Sequence, residues 1–236
     1  MGLYRETGVV LRTIRLGEAD RIVTLLTPGR GKVRAVAKGV RKTKSKFGGR
    51  LEPTSHVALL LYEGRELDIV TQAESVEQFR IIREDLDRYG RAVSLLEAVD
   101  QLAQERQSST KLYEMLVGAL RALSAKDAPL LVPAFFLKLL SLEGFHPVLD
   151  GCASCGTAGP LVAFELVEGG ALCRSCARGP RLSEAGLDLV RTILGGGLAA
   201  ALDRSRDEAT DEVDRLATRA LEQHLERRLR SIHVIA

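Results

Sequence analysis

The sequence lacks any hydrophobic run near the roughly 20 apolar residues that a membrane-spanning helix needs. Its opening residues, MGLYRETGVV, also lack the basic segment and apolar core of a secretory signal peptide. Apolar content of 45% and charged content of 28% are ordinary for a soluble globular protein. We therefore expect a cytoplasmic location, where disulfides are disfavoured and clustered cysteines more often bind metal.

Motifs that carry catalysis are missing as well. The sequence has no Walker phosphate loop, no HExxH metalloprotease motif and no GxSxG nucleophile motif. The carboxylates Glu84, Asp85 and Asp87 could hold a catalytic metal, but they alternate with Arg83 and Arg88, which favours a salt-bridged solvent face. We expect that the protein is not an enzyme, and a metal-dependent nuclease is the alternative.

Acidic residues are absent from residues 21–50, which hold ten lysines and arginines. The whole chain has 34 basic and 31 acidic residues, so 24 basic residues stand against 31 acidic ones outside this stretch. Segregated positive charge is the electrostatic footprint of a polyanion-binding protein. A solvated face or a disordered basic arm is the alternative. An ordered loop is favoured because the basic residues are interrupted by Gly39, Phe47, Gly48 and Gly49.

Five runs of strand length occupy the first third of the chain, bounded by glycine, proline and charged residues. They are Val9–Ile14, Ile22–Leu26, Val33–Ala37, His56–Leu61 and Leu67–Val70. Thr27-Pro28-Gly29-Arg30 predicts a type II turn with Gly29 at positive φ. Five short strands within about seventy residues predict a closed barrel, most simply an OB-fold, with an SH3-like barrel as competitor.

Beyond Glu74 the hydrophobic period becomes helical. The spacing predicts one long helix from Phe79 to about Gln104, further helices over about 109–123, 130–142 and 183–194, and a last helix from Asp207 to about Ile232. The predicted fold class is therefore α+β. We expect a nucleic-acid-binding OB-fold domain over residues 1–78 and a helical domain over residues 79–236.

All four cysteines fall in two CxxC pairs, Cys152 with Cys155 and Cys173 with Cys176, separated by seventeen residues. Each pair can offer two thiolates to one tetrahedral ion, and four thiolates suit a structural Zn²⁺ with no open position for catalysis. We predict one zinc ion in a finger module over residues 148–180. An iron–sulfur cluster and a pair of disulfides are the alternatives.

Tryptophan is absent, and the predicted barrel offers only Tyr4, Phe47 and Tyr62 for stacking on bases. Phosphate contacts should therefore dominate nucleic-acid binding and make it strongly dependent on salt. The predicted phosphate contacts are Lys38, Arg41, Lys42, Lys44 and Lys46, with Arg34 and Arg50 as second choices.

Several segments together resemble the RecO family of bacterial recombination mediators. They are Gly8-Val9-Val10-Leu11, Gly17-Glu18-Ala19-Asp20, Ala37-Lys38-Gly39-Val40-Arg41, Leu51-Glu52-Pro53 and the cysteine quartet. The resemblance spans essentially the whole chain. It implies an N-terminal OB-fold, a helical domain with an embedded zinc finger, and no hydrolytic activity.

The same resemblance implies a function in DNA repair and recombination within the cytoplasm, at the nucleoid. RecO proteins bind single- and double-stranded DNA, anneal complementary strands, and work with RecR to help RecA displace the single-strand-binding protein. Some members also bind the acidic C-terminal tail of that protein. No membrane or nucleotide partner is expected.

Two further interpretations stay open at this point. The chain could be a zinc-stabilised interaction module whose basic loop binds an acidic protein tail, or an RNA-binding OB protein. A comparison of matched RNA and DNA strands tests the RNA-binding interpretation. Binding of a tail peptide to a variant with reversed loop charges tests the interaction module.

Overall fold

The computed structural model describes residues 2–231. Five strands close into a barrel in the order β1-β2-β3-β5-β4. They are β1 Leu3–Leu16, β2 Asp20–Thr27, β3 Gly31–Ala37, β4 His56–Tyr62 and β5 Asp68–Glu77. Neighbouring strands are antiparallel except β3 and β5, which pair in parallel through Ala35–Asp68 and Val36–Ile69. This is an OB-like barrel, so the predicted fold class is confirmed.

Alternation of apolar and polar residues explains these strands. In β3, Val33, Ala35 and Ala37 are buried, whereas Lys32 and Arg34, which alternate with them, are partly exposed. A period of two places alternate side chains on opposite faces, so one face of the strand enters the core. The barrel core gathers side chains from all five strands and adds Phe47 and Leu51 from the connection between β3 and β4.

The turn between β2 and β3 differs from the predicted type II turn. Positive φ falls at Gly31 (60°) and not at Gly29. The Thr27 hydroxyl closes the turn by donating to the Gly31 carbonyl at 3.1 Å and accepting from the Arg30 amide at 3.2 Å. A Cβ on Gly31 would lie 1.8 Å from the carbonyl oxygen of Gln107, so both backbone conformation and space require glycine here.

Seven helices and a two-stranded hairpin follow in the described residues. They are α1 Arg80–Glu84, α2 Leu86–Leu102, α3 Thr110–Ala125, α4 Leu131–Leu142, β6 Leu161–Glu165, β7 Gly170–Cys173, α5 Glu184–Leu194, α6 Leu198–Leu202 and α7 Glu208–His224. The single long helix predicted from Phe79 is wrong. Asp85 is extended (φ −117°, ψ 117°) and separates α1 from α2, because its carboxylate caps α2 by accepting from the Arg88 amide.

The last helix begins where predicted and ends sooner. Asp207 caps α7 in a reciprocal capping box with Thr210, and the helix ends at His224 rather than near Ile232. Ile232 itself lies outside the described residues. Ser183 caps α5, as predicted, by accepting from the Gly186 amide at 3.1 Å.

Two compact units divide the chain. The first comprises residues 2–125 with Ser231, and the second comprises residues 126–230. The barrel and α1–α3 belong to the first unit, while α4–α7 and the β6–β7 hairpin belong to the second. The division that we predicted after residue 78 follows the change from strands to helices and stays a prediction. Across the described part of the chain, every helix is too short or too polar to span a membrane.

Candidate nucleic-acid interface and metal centre

The basic loop, residues 38–50, connects β3 to β4 and is fastened to the barrel by apolar side chains. Phe47 is only 1% exposed and packs in the barrel core. Leu51 is the last residue of a short 3-10 helix, Gly48–Leu51, and is buried to the same extent. A phenylalanine among lysines is therefore an anchor, because burying its ring removes a large apolar surface from water.

Hydrogen bonds fasten the other end of the basic loop to the turn between β1 and β2. The Gly39 amide donates to Asp20 Oδ1 at 2.7 Å, and the Arg41 amide donates to the Ala19 carbonyl at 3.0 Å. The Arg41 guanidinium donates to the Glu18 carbonyl at 2.7 Å. Our sequence reasoning missed the contribution of Asp20, although it lies within a segment that resembles the RecO family. Arg41, a predicted phosphate contact, already has backbone partners.

Three of the predicted phosphate contacts have no counter-ion. Lys38, Lys42 and Lys44 are exposed, and no carboxylate within residues 2–231 pairs with any of them. Lys46 donates to the Thr71 carbonyl at 2.8 Å. Arg50 donates to the carbonyls of Lys46 and Phe47, at 3.2 and 3.1 Å. The basic loop therefore presents uncompensated positive charge on an ordered backbone.

The cations of the basic stretch on β2, on β3 and in the turn between them are compensated. Arg21 pairs with Glu52 at 2.7 Å, and Arg30 pairs with Glu63 at 2.9 Å. The Lys32 ammonium donates to the Asp100 backbone carbonyl at 2.6 Å. Arg34, a second-choice phosphate contact, lies 3.7 Å from Glu105. The net charge available for a ligand is thus concentrated in the basic loop rather than spread over residues 21–50.

The aromatic side chains of the barrel offer little surface for base stacking. Phe47 is buried in the core. The Arg30 guanidinium covers the ring of Tyr4 at 3.8 Å, and the Tyr4 hydroxyl donates to Asp68. Burial and this hydrogen bond raise the pKa of Tyr4 well above its usual range. Tyr62 alone of the three residues considered is substantially exposed, at 41%.

The four cysteines lie together on two tight turns of the second unit. Their Sγ atoms are within 4.8 Å of one another, and this is the group of potential ligands found in the described residues. The first turn is closed by the Gly156 amide donating to the Cys152 carbonyl at 2.8 Å, with Gly156 at φ +76°. In the second, the Cys176 amide donates to the Cys173 carbonyl at 3.2 Å. The β6–β7 hairpin spans the interval between the pairs.

The spacing of the thiols fits a tetrahedral ion. Cys155 Sγ and Cys173 Sγ are 3.8 Å apart. Four sulfurs at about 2.3 Å from a central zinc ion would be separated by about 3.8 Å along each edge of the tetrahedron. A disulfide requires about 2.05 Å between sulfurs. The four cysteines could therefore bind one metal ion.

The thiols of Cys152 and Cys176 hold their protons very unequally. A hydrogen bond from the backbone of Cys173 lowers the pKa of Cys152 to about 6. Hydrogen bonds with the thiols of Cys155 and Cys173 raise the pKa of Cys176 to about 12. Groups of like charge that share a site cannot all ionise together, and a bound cation removes this conflict.

The carboxylates considered as an alternative metal site are used differently. Asp85 caps α2, and its carboxylate lies 3.5 Å from Arg88 Nε. Over residues 2–231, the structure does not bring Glu84, Asp85 and Asp87 together as a group of potential metal ligands. Their arrangement supports the interpretation as a charged, solvent-facing turn between two helices.

The fold and the site define the chain as an OB-fold protein with a helical C-terminal part that carries a four-cysteine module. The family model for the N-terminal part of recombination protein O matches residues 1–79, and the model for its C-terminal part matches residues 83–233. The chain therefore belongs to the RecO family, whose members act in DNA repair and recombination.

Proposed function

We propose that this protein is a recombination mediator that binds single- and double-stranded DNA through phosphate contacts and anneals complementary strands. In this proposal it acts with RecR to help load RecA on strands covered by the single-strand-binding protein. The observation that carries the proposal is the anchored basic loop, in which Lys38, Lys42 and Lys44 are exposed and have no counter-ion among the residues that the structure describes. Membership of the RecO family supports the same function.

Phosphate contacts account for binding and annealing in one mechanism. Each phosphate that the loop neutralises releases condensed counterions, which favours binding and makes it dependent on salt. Two strands neutralised on the same surface repel each other less, so their complementary bases pair faster. This step needs no nucleotide hydrolysis, in line with our expectation that the protein is not an enzyme.

The acidic tail of the single-strand-binding protein is the second proposed partner. An uncompensated cationic loop attracts an acidic peptide by the same electrostatics that attract a phosphate backbone. DNA remains the favoured ligand of this loop because the phosphate repeat of a strand can engage several spaced lysines at once.

The metal module has a structural part in the proposal. Cys152, Cys155, Cys173 and Cys176 would hold one Zn²⁺, which crosslinks the two turns and leaves no open position for catalysis. Among the described residues, the core cluster that contains Cys152 and Cys173 has Ala163 and Leu172 as its other buried members. A cluster this small is stabilised by a crosslink between the two turns.

The test is fluorescence-anisotropy binding of a labelled single strand across a salt series. The loop variant carries Lys38→Glu, Lys42→Glu and Lys44→Glu. The control variant carries Arg5→Glu, Arg65→Glu and Lys111→Glu, which are also exposed residues of the first unit and give the same change in net charge. If about five phosphates are neutralised, log K against log[salt] should have a slope of roughly −3.5 for the wild type.

We expect a much flatter slope for the loop variant and a near wild-type slope for the control. Equal slopes for the two variants would place the DNA site outside the basic loop. No binding by the wild type would favour the protein-interaction module, to be tested with a tail peptide. Tighter binding of an RNA strand than of the matched DNA strand would favour the RNA-binding alternative.

A further inference from the structure

An open cavity of about 290 Å³ lies at the end of the basic loop, within the first unit. It is lined by Gly48, Gly49, Arg50, Gln78 and Arg83. Arg50 ends the basic loop, whereas Arg83 comes from α1. Two guanidinium groups thus line one cavity, and its lining within residues 2–231 contains no carboxylate.

Arg83 has donors without acceptors. A guanidinium carries five N–H donors. Arg83 Nη2 donates to the Gln78 carbonyl, but its Nε is buried and has no hydrogen-bond partner in the described part of the protein. Arg88, the next arginine along the chain, instead pairs with Asp85. Arg83 is therefore a cation held in place, with no counter-charge in the described part of the chain.

The backbone beside Arg50 leaves room for a ligand. A Cβ on Gly49 would meet nothing within 4 Å, and Gly48 has a positive φ of 53°. Consecutive glycines let a ligand approach the main chain closely, where a side chain would block it. The exposed Glu84 follows Arg83 in sequence but does not line the cavity.

We propose that this cavity is a phosphate subsite of the nucleic-acid interface, and that Arg83 binds a backbone phosphate of the strand there together with Arg50. The planar fork of a guanidinium matches two phosphate oxygens and is the preferred protein group for such bidentate contacts. A phosphate in the cavity supplies a counter-charge to Arg83 and accepts from the outer N–H groups of its guanidinium. This inference rests on the proposed function, because the strand that occupies the subsite is the one that the basic loop binds.

The experiment repeats the salt series with Arg83→Gln, and with Arg80→Gln as control. Arg80 is exposed on the same short helix and does not line the cavity. Loss of one phosphate contact should reduce the magnitude of the slope by about 0.7 on a single strand. We expect this reduction for Arg83→Gln and no change for Arg80→Gln. Arg83→Lys keeps the charge but not the fork, so its slope should persist while its affinity falls several-fold.

The outcomes separate this inference from the function on which it rests. A wild-type slope for Arg83→Gln, alongside a flattened slope for the loop variant, would overturn the subsite and leave the proposed function intact. Wild-type protein that shows no salt-dependent binding would overturn both. Should Arg83→Gln fail to fold, Arg83→Lys decides: several-fold weaker binding supports the subsite, and unchanged affinity rejects it.

Discussion

At the scale of single residues, Phe47 determines where the charges of the basic loop are held. Its neighbour Lys46 lies with its ammonium 5.0 Å from the centre of the Phe47 ring. The ring itself is 1% exposed in the barrel core. Burying an aromatic side chain in this way ties the loop to the barrel by a non-directional but large free energy.

Removing the Phe47 ring should therefore destabilise the folded protein. Phe47→Ala is expected to lower the free energy of unfolding by about 3–5 kcal/mol, the usual cost of such a truncation in a packed core. Urea unfolding measures this change. Leu86→Ala is the control, since Leu86 is 78% exposed and its truncation should change stability by about 0.5 kcal/mol or less. A similar small effect for both variants would show that Phe47 is not an anchor.

Glu77 is a second residue whose environment predicts a measurable effect. Burial alone would raise the pKa of Glu77, but hydrogen bonds from Arg121 and His56 outweigh burial and lower that pKa below its ordinary 4.5. A carboxyl group whose pKa is lower in the folded state contributes stability above its ordinary pKa. That contribution is lost as the pH falls through the lowered folded pKa.

The Glu77→Gln variant should be less stable than the wild type at pH 6, and the difference should shrink below about pH 4.5. Thermal or urea unfolding across pH 3–7 gives the two stability curves. Glu74→Gln, on the same strand and exposed, serves as control. A stability difference independent of pH would mean that the charge of Glu77 does not contribute.

At the scale of elements, the basic loop and the β1–β2 turn form one hydrogen-bonded substructure. Asp20 accepts from the Gly39 amide, and Gly39 has a positive φ of 67° that its lack of a side chain permits. The backbone next to Lys38 is therefore positioned by Asp20, the first residue of β2. The positions of the exposed lysines therefore depend on the hydrogen bond between Gly39 and Asp20.

Asp20→Ala should loosen the loop without unfolding the barrel. A hydrogen bond to a charged acceptor contributes about 1.5 kcal/mol or more, so exchange of the Gly39 amide should become roughly tenfold faster. Hydrogen exchange followed by NMR measures this rate. Glu18→Ala is the control, because Glu18 offers Arg41 only its backbone carbonyl. Unchanged protection of Gly39 in Asp20→Ala would refute the anchoring.

At the scale of the whole molecule, the two compact units rely on different sources of stability. The first unit has a closed barrel with a continuous apolar core. In the second unit, α4 is buried along most of its length and packs on α7, whereas the core cluster that contains Cys152 and Cys173 is small. Metal removal should therefore affect the module most.

We predict one zinc ion per chain and four thiols that a thiol reagent reaches only after treatment with a strong chelator. An apparent binding free energy on the order of 10 kcal/mol would be lost with the ion. Elemental analysis and thiol counting measure these quantities, with Cys155→Ser as a variant that should lower zinc retention. Four thiols that react at once before chelation, or a visible iron–sulfur absorbance, would contradict the prediction.

Local patterns in the sequence were sufficient for much of this architecture. Alternating apolar residues located all five barrel strands, and the two CxxC pairs located the cysteine cluster. Both signals depend on spacing along the chain, which is visible without a structure. Absence of acidic residues in the basic stretch likewise located the loop that the barrel presents between β3 and β4.

Tertiary structure decided which of those charges remain uncompensated. Lys32 and Arg34 look like Lys38 and Lys42 in the sequence, yet their partners Asp100 and Glu105 lie about seventy residues away. β1 is longer than its predicted core because its first half pairs with β4 and its second half with β2. Residues so far apart in the sequence come into contact only when the chain folds. No local sequence pattern can therefore predict these pairings.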